Sequence, residues 1–260
     1  MADGGTFTDS LRLLAEKGLR YRTVIDLGCA DGHFFLQHFN LGFFAGAVPV
    51  NVDANPIYEQ SLKAIRDVVG GSYVIAAMAD HVGEVELTLG SHPYWSSLLD
   101  ENDPYWQRLN KLHQGKTKVR AVTVDSLVEE LRLIPPFLLK LDIQGAELAV
   151  LKGARETLKE TDVVICEIDL ADFNRLDRLM DDAGFSLFDM TALARIADGS
   201  LGWFYPVYLN RRRDGLRAQK LWDASRNQTV LEMQRQRRTQ ILEYNARVLA
   251  ELRKTRGGSA

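Results

Sequence analysis

Short apolar runs alternating with helix-compatible stretches constrain this chain more than any other feature. Residues 23–27 (TVIDL), 48–53 (VPVNVD), 72–77, 137–142 (FLLKLD) and 163–167 (VVICE) are too short for helices and too apolar for loops. Between them lie helix-compatible segments, beginning near Phe34 and then over 56–69, 125–133, 146–158 and 173–183. Gly70-Gly71, Pro135-Pro136 and Gly184 supply stop signals. A strand buried on both faces reads as a continuous apolar run, and strand–helix alternation calls for a mostly parallel sheet covered on both sides. The expectation is an α/β, Rossmann-like, doubly wound domain over residues 1–210. A short helix over 8–17 opens it. Residues 84–89, which alternate with period two, form an extra edge strand, and 186–189 and 204–209 supply the last strands.

A length of 260 residues suits one such domain with an appendage. The net charge of −3 conceals an asymmetry: residues 211–260 carry 13 Lys and Arg against 5 Asp and Glu, or +8, which leaves −11 for the first 210. From 216 to 256 there is no proline and no glycine, and Val230, Met233, Ile241, Tyr244, Val248 and Leu252 form a narrow apolar stripe. Residues 211–260 are therefore expected to be a basic helical extension. It packs its stripe in a homo-oligomer, or offers an electropositive arm to an anionic glycan or membrane surface; nucleic acid ranks last, since aromatic residues are few there. Cys29 and Cys166 have no metal-ligand or CxxC spacing, the first ten residues have no signal-peptide character, and no apolar run is long enough to span a membrane. These features together point to a reducing, cytoplasmic setting.

The chemistry concentrates in VIDLGCADGHF, residues 24–34. A strand ends at Asp26, a tight turn carries Gly28, Cys29, Ala30, Asp31 and Gly32, and a helix begins. Small residues let a ligand approach the backbone, and a helix start offers unpaired N–H groups. A dinucleotide turn has the spacing G-x-G-x-x-G and faces a pyrophosphate. Here Asp26 and Asp31 flank the turn and would repel one, whereas they suit S-adenosylmethionine, which has no phosphate and bears a sulfonium and an ammonium. Asp53, ending the second strand, is placed to accept from both ribose hydroxyls, with helix capping as its alternative. Asp80, with Ala79 beside it, is a candidate for the adenine amino group, or else an ordinary turn carboxylate.

These pieces resemble the FkbM-type methyltransferases. EKGLRYRTVIDLGCADGHF, VDANP, AMADHVGEVEL, Ser96-Ser97-Leu98, TVDSL, KLDIQGAELAVLKGA and VICEI follow the family's order over about residues 10–190. KLDIQGAELAVLKGA is the most specific, with Gln144 in place of the usual acid; Asp53-Ala54 replaces the usual Glu-Pro. The resemblance implies a class I methyltransferase fold, S-adenosyl-L-methionine as methyl donor, and O-methylation of a hydroxyl on a sugar, glycan or natural-product metabolite. Cofactor-binding candidates are then Asp26, Gly28, Cys29, Ala30, Asp31, Gly32, Asp53, Ala54, Ala79 and Asp80.

For catalysis the candidates are Asp142, at the open end of its strand, Glu147 in the first turn of the next helix, and His92. Glu147 has helix-dipole stabilisation as its alternative role. A sugar hydroxyl is a poor acid and gains from a general base; among His33, His81, His92 and His113, His92 lies nearest the aromatic residues Tyr94, Trp95, Tyr105 and Trp106. Residues 92–115 have no clear period and are read as an excursion over the sheet edge, where an acceptor could stack. Asp142, Glu167 and Asp169 form a lesser alternative, a Mg2+ site by analogy of position with catechol-type methyltransferases. Two competing functions remain: a catalytically silent module that scaffolds a partner through its last helix, and a nicotinamide-dependent oxidoreductase.

Overall fold

The computed structural model describes residues 5–100, 102–103 and 113–217, and beyond them 232, 235–244 and 247. The chain divides into two compact units, Met1–Leu216 and Arg217–Ala260. In the second, residues 232, 235–244 and 247 are helical and exposed; the remaining residues of that unit's expected helix lie outside the described residues, apart from Arg217, as do Tyr105 and Trp106.

The first unit holds a central sheet of eight strands. β1 (Thr23–Leu27), β2 (Val48–Asp53), β3 (Ser72–Ile75), β7 (Phe137–Leu141) and β8 (Thr161–Cys166) run parallel in the order β3-β2-β1-β7-β8. β11 (Leu201–Asn210) joins β8 antiparallel, and β10 (Phe185–Arg195) joins β11 antiparallel at the far edge; β9 (Ile168–Asp169) also pairs with β11. Every residue of β1, β7 and β8 is buried. Their continuous apolar runs are what a sheet covered on both faces requires. One face packs Ile25, Leu139, Val164 and Val150 together; the other packs Val24, Leu138, Ile165 and Leu14.

The helices are α1 (Phe7–Glu16), α2 (His33–Asn40), α3 (Glu59–Val69), α4 (Val124–Leu131), α5 (Glu147–Lys152), α6 (Arg155–Glu160) and α7 (Phe173–Asp182). Where one helix is expected over 146–158, the structure has two. The chain breaks at Gly153, whose Cα hydrogens face the Ala79 carbonyl; a Cβ there would lie 3.1 Å from that oxygen. Residues 84–89 belong to a second, three-stranded sheet and do not extend the edge of the first. It comprises β4 (Ala77–Met78), β6 (His113–Val122) and β5 (Gly83–Gly90), in the order β4-β6-β5. The excursion therefore leaves from β5 and returns through β6. Residues 211–216, counted by charge with the extension, pack in the first unit, where Arg212 and Arg213 both pair with the buried Asp162 at 2.9 Å.

Candidate active site

Strand order reverses direction between β1 and β7, and open α/β sheets bind ligands outside the strand ends at such a point. A cavity of about 380 Å³ lies there, lined by Gly28 and Ala30 after β1, Asp53 and Ala54 after β2, Ala76 to Met78, and Lys140, Asp142 and Glu167. Its size is in the usual range for a small-ligand site.

The turn after β1 is packed hard against the turn after β7. Gly28 has φ +72°, and a Cβ on it would stand 1.9 Å from the Asp142 carbonyl oxygen. Ala30 (φ +49°) points its N–H at Asp53, donating to Oδ2 at 2.9 Å, while Asn55 N–H donates to Oδ1 at 2.8 Å. Burial pushes the Asp53 carboxyl up to about 6 despite these two backbone donors. Asp53 is not the helix cap considered above, since Asn55 does that work, accepting from Ile57 N–H.

A second polar group occupies the other end. Lys140 Nζ sits 3.1 Å from Asp26, 3.4 Å from Asp142 and 3.5 Å from the Gly28 carbonyl. Burial disfavours its charge, but Asp26 and Asp142 outweigh that and hold the ammonium charged. Asp142 and Glu167 face each other. Gln144 Nε2 donates to both, at 3.1 and 2.9 Å. The Tyr205 hydroxyl donates to Asp142 Oδ2 at 2.9 Å and lies 3.2 Å from Glu167 Oε1. Burial pushes the Glu167 carboxyl far up, and the neighbouring charges of Asp142 and Glu147 push it further. Burial also acts upward on Asp142, but Lys140, Glu167, Tyr205 and Gln144 together outweigh it and hold Asp142 below its ordinary value. Two carboxyls this close do not both ionise readily, and their surroundings drive Glu167 toward its protonated form and Asp142 toward its ionised one.

Several expected site residues lie elsewhere. Asp26 is beneath the turn, wholly buried against Lys140, so it compensates that cation and has no face on the cavity. Cys29 is buried, its thiol toward the Ala30 carbonyl. Asp31 pairs with His33 Nδ1 at 2.9 Å outside the lining. Gly32 gives room to α3: a Cβ there would meet Ile65 Cδ1 at 2.4 Å. Ala79 and Asp80 also lie outside the lining; Asp80 is more than half exposed and pairs with His81, so Ala76 to Met78 form that wall instead. His92 is exposed and outside the lining, its ring stacked on Tyr94. Glu147 is spent on the backbone: its two oxygens accept from Ile143 and Gly145 N–H at 3.0 and 2.9 Å, clamping the turn that carries Asp142. Asp169 lines a neighbouring cavity of about 580 Å³, whose wall it shares with Glu167 but not with Asp142. Among the described residues no three His, Cys, Asp or Glu side chains could hold a metal ion.

Sequence reasoning missed Tyr205, Tyr58 and His38, all in the lining. His38 is buried; Nδ1 donates to the Phe34 carbonyl at 2.7 Å, so Nε2 accepts from the Thr8 hydroxyl at 2.9 Å, and burial lowers its pKa. A histidine on the apolar face of HFFLQHF was the available signal. Tyr58 and Ser96 place buried hydroxyl oxygens that have no hydrogen-bond partner among the described residues.

This architecture is the Rossmann-like α/β fold of class I methyltransferases. The family model described as Methyltransferase FkbM domain matches residues 26–187, and the chain belongs to that family, a methyltransferase by family and fold. Among solved structures, the FkbM methyltransferase of Methylobacillus flagellatus is 15% identical, with a TM-score of 0.44 over 71% of this chain and 43% of that one. This chain thus spans less than half the length of that relative. The precorrin-6y C5,15-methyltransferase of Geobacter metallireducens is 7% identical (TM-score 0.41, 76% and 85% covered). An rRNA methylase of Streptococcus thermophilus is 13% identical (TM-score 0.40, 78% and 94% covered). No curated protein matches. Among the described residues, no helix is long and apolar enough to cross a membrane.

Proposed function

We propose that this chain is an S-adenosyl-L-methionine-dependent O-methyltransferase acting on a hydroxyl of a sugar, glycan or natural-product metabolite. The observation that carries this reading is one continuous lining from Asp53 to the Asp142–Glu167 pair. A half-buried acid that receives only backbone donors, next to a turn that admits no side chain, suits the ribose diol of a nucleoside pressed close to the backbone. The ionised Asp142 suits a cationic centre at the other end. The residues fit the donor, with Gly28, Ala30, Asp53 and Ala54 holding its nucleoside.

The bound donor supplies a methyl group already activated by a sulfonium. What the protein must add is alignment, exclusion of water and a place for the hydroxyl proton. Asp142 is the proton acceptor in this reading. Lys140 keeps it charged before the acceptor arrives, and Tyr205 and Gln144 fix its two oxygens in direction.

Calorimetry tests the reading. S-adenosylmethionine and its demethylated product should bind, NAD should not, and Asp53→Ala should weaken binding at least tenfold. Heat with NAD but none with either sulfur nucleoside would overturn it. A labelled-methyl screen against sugars, glycans and metabolites then tests the acceptor class. Donor binding without transfer to any of them would favour a silent scaffold.

A further inference from the structure

Tyr58 follows the Asp53 turn and is 9% exposed. Its ring stacks on Tyr94, with centroids 5.9 Å apart and planes at 22°. The ring thus has a partner and the residue lines the cavity, whereas its hydroxyl is buried behind that lining with no hydrogen-bond partner among the described residues. A tyrosine that served packing alone would be replaced without loss by phenylalanine, and a buried hydroxyl with no partner destabilises the fold that holds it. Such a group persists where a ligand supplies the missing bond. Its surroundings say which part of a ligand. Asp53, Tyr94, Asp31 and Cys29 are the groups near enough to act on it electrostatically, and three of the four belong to the turns after β1 and β2. Ser96, the other such hydroxyl, belongs to the opposite end: its neighbour Ser97 donates to the Gln144 carbonyl at 2.6 Å.

We propose that the Tyr58 hydroxyl is a binding group for the nucleoside half of the methyl donor, making a hydrogen bond to it beside Asp53. The proposal rests on the donor reading above and adds a residue to it. Tyr94 completes the contact from outside. Stacked on Tyr58 and hydrogen-bonded to Asp31 at 3.4 Å, it ties the excursion to the glycine turn.

The test uses the whole chain and its Tyr58→Phe variant, with S-adenosylhomocysteine and adenosine as probes. A ligand contact and a structural one have opposite signatures. Loss of a ligand hydrogen bond weakens both probes by about three- to tenfold. The unliganded variant melts at the same temperature or higher, because a buried unpaired group has been removed. Equal affinities in the two proteins would overturn the proposal and leave the donor reading intact. So would a clear fall in the unliganded melting temperature, which would mean a structural partner. Weaker S-adenosylhomocysteine with unchanged adenosine would put the contact on the amino-acid half and overturn the assignment to the nucleoside. If neither protein binds S-adenosylhomocysteine, the donor reading itself fails, and the proposal with it.

Discussion

The Tyr205 hydroxyl donates to Asp142 at 2.9 Å, although 63 residues separate the two in the chain. Antiparallel β11 makes this possible. It lies against β8, so its side chains reach the strand ends where Asp142 and Glu167 stand. The bond adds to the larger effect of Lys140 in favouring the ionised form of Asp142, because a phenol stabilises the ionised acid to which it donates.

Removing that donor should move the pH profile of methyl transfer. Transfer needs Asp142 ionised, so activity falls as pH drops through its pKa, which Lys140, Glu167, Tyr205 and Gln144 hold below the ordinary value. In Tyr205→Phe the acid limb should move to higher pH. Asp142→Asn should lower turnover about a hundredfold or more at every pH, with donor affinity nearly unchanged. Rates of labelled-methyl transfer between pH 4 and 8 check both. An unmoved acid limb in Tyr205→Phe would remove the tyrosine from this role.

The parts legible in the sequence were those fixed by local pattern. The apolar runs of β1, β2, β7 and β8, and the small residues of the turn after β1, are readable because burial on both faces and close backbone approach leave a local trace. β6 is not, since its segment HQGKTKVRAV faces partly outward and its charges pair across to β5, Lys118 with Glu84 at 2.9 Å. The site's pairings are long-range, and composition is silent on them. Asp26 reads as a ligand carboxylate until β7, more than a hundred residues on, sets Lys140 against it. His92 reads as a base because nothing local in a polar loop occupies its ring; in the fold it stacks on Tyr94 and lies outside the lining.

Donor binding should strengthen as pH rises through about 6. Burial pushes Asp53 up to about 6 in the unliganded protein, so below that pH it is protonated and accepts poorly from ribose hydroxyls. Affinity for S-adenosylhomocysteine should therefore be lowest near pH 5 and level above pH 7. Asp53→Asn should bind more weakly and lose the dependence. Calorimetry at four pH values decides it, and a flat wild-type curve would take Asp53 out of the binding site.

Lys140 should be worth more to the fold than to the ligand. Lys140→Met leaves the fully buried Asp26 carboxyl without its cation, which costs about 3–5 kcal/mol. Asp26→Asn added to it removes the orphaned carboxyl and should restore much of that loss. Denaturant unfolding of the two single variants and the double variant measures the coupling. Additive losses would mean that the two groups do not compensate each other.

Glu147 should make stability fall with rising pH in a window where carboxylates usually do the reverse. Its oxygens clamp the Asp142 turn, yet burial pushes its carboxyl from 4.5 up to about 7 against the backbone donors. Below about pH 4.5 it is protonated in both the folded and the unfolded chain, and its contribution is complete. Between about 4.5 and 7 the unfolded chain releases the proton while the folded chain keeps it, so ionisation favours unfolding. Above about 7 both forms are ionised and the slope ends. The loss over that window is about 3 kcal/mol. Glu147→Gln does not titrate, so the stability of wild type minus that of the variant should shrink by most of this amount, about 2.5 kcal/mol, from pH 5 to pH 8. Urea unfolding of both proteins at the two pH values gives the number. A constant difference would mean that Glu147 is already ionised at pH 5, held so by the Ile143 and Gly145 N–H groups.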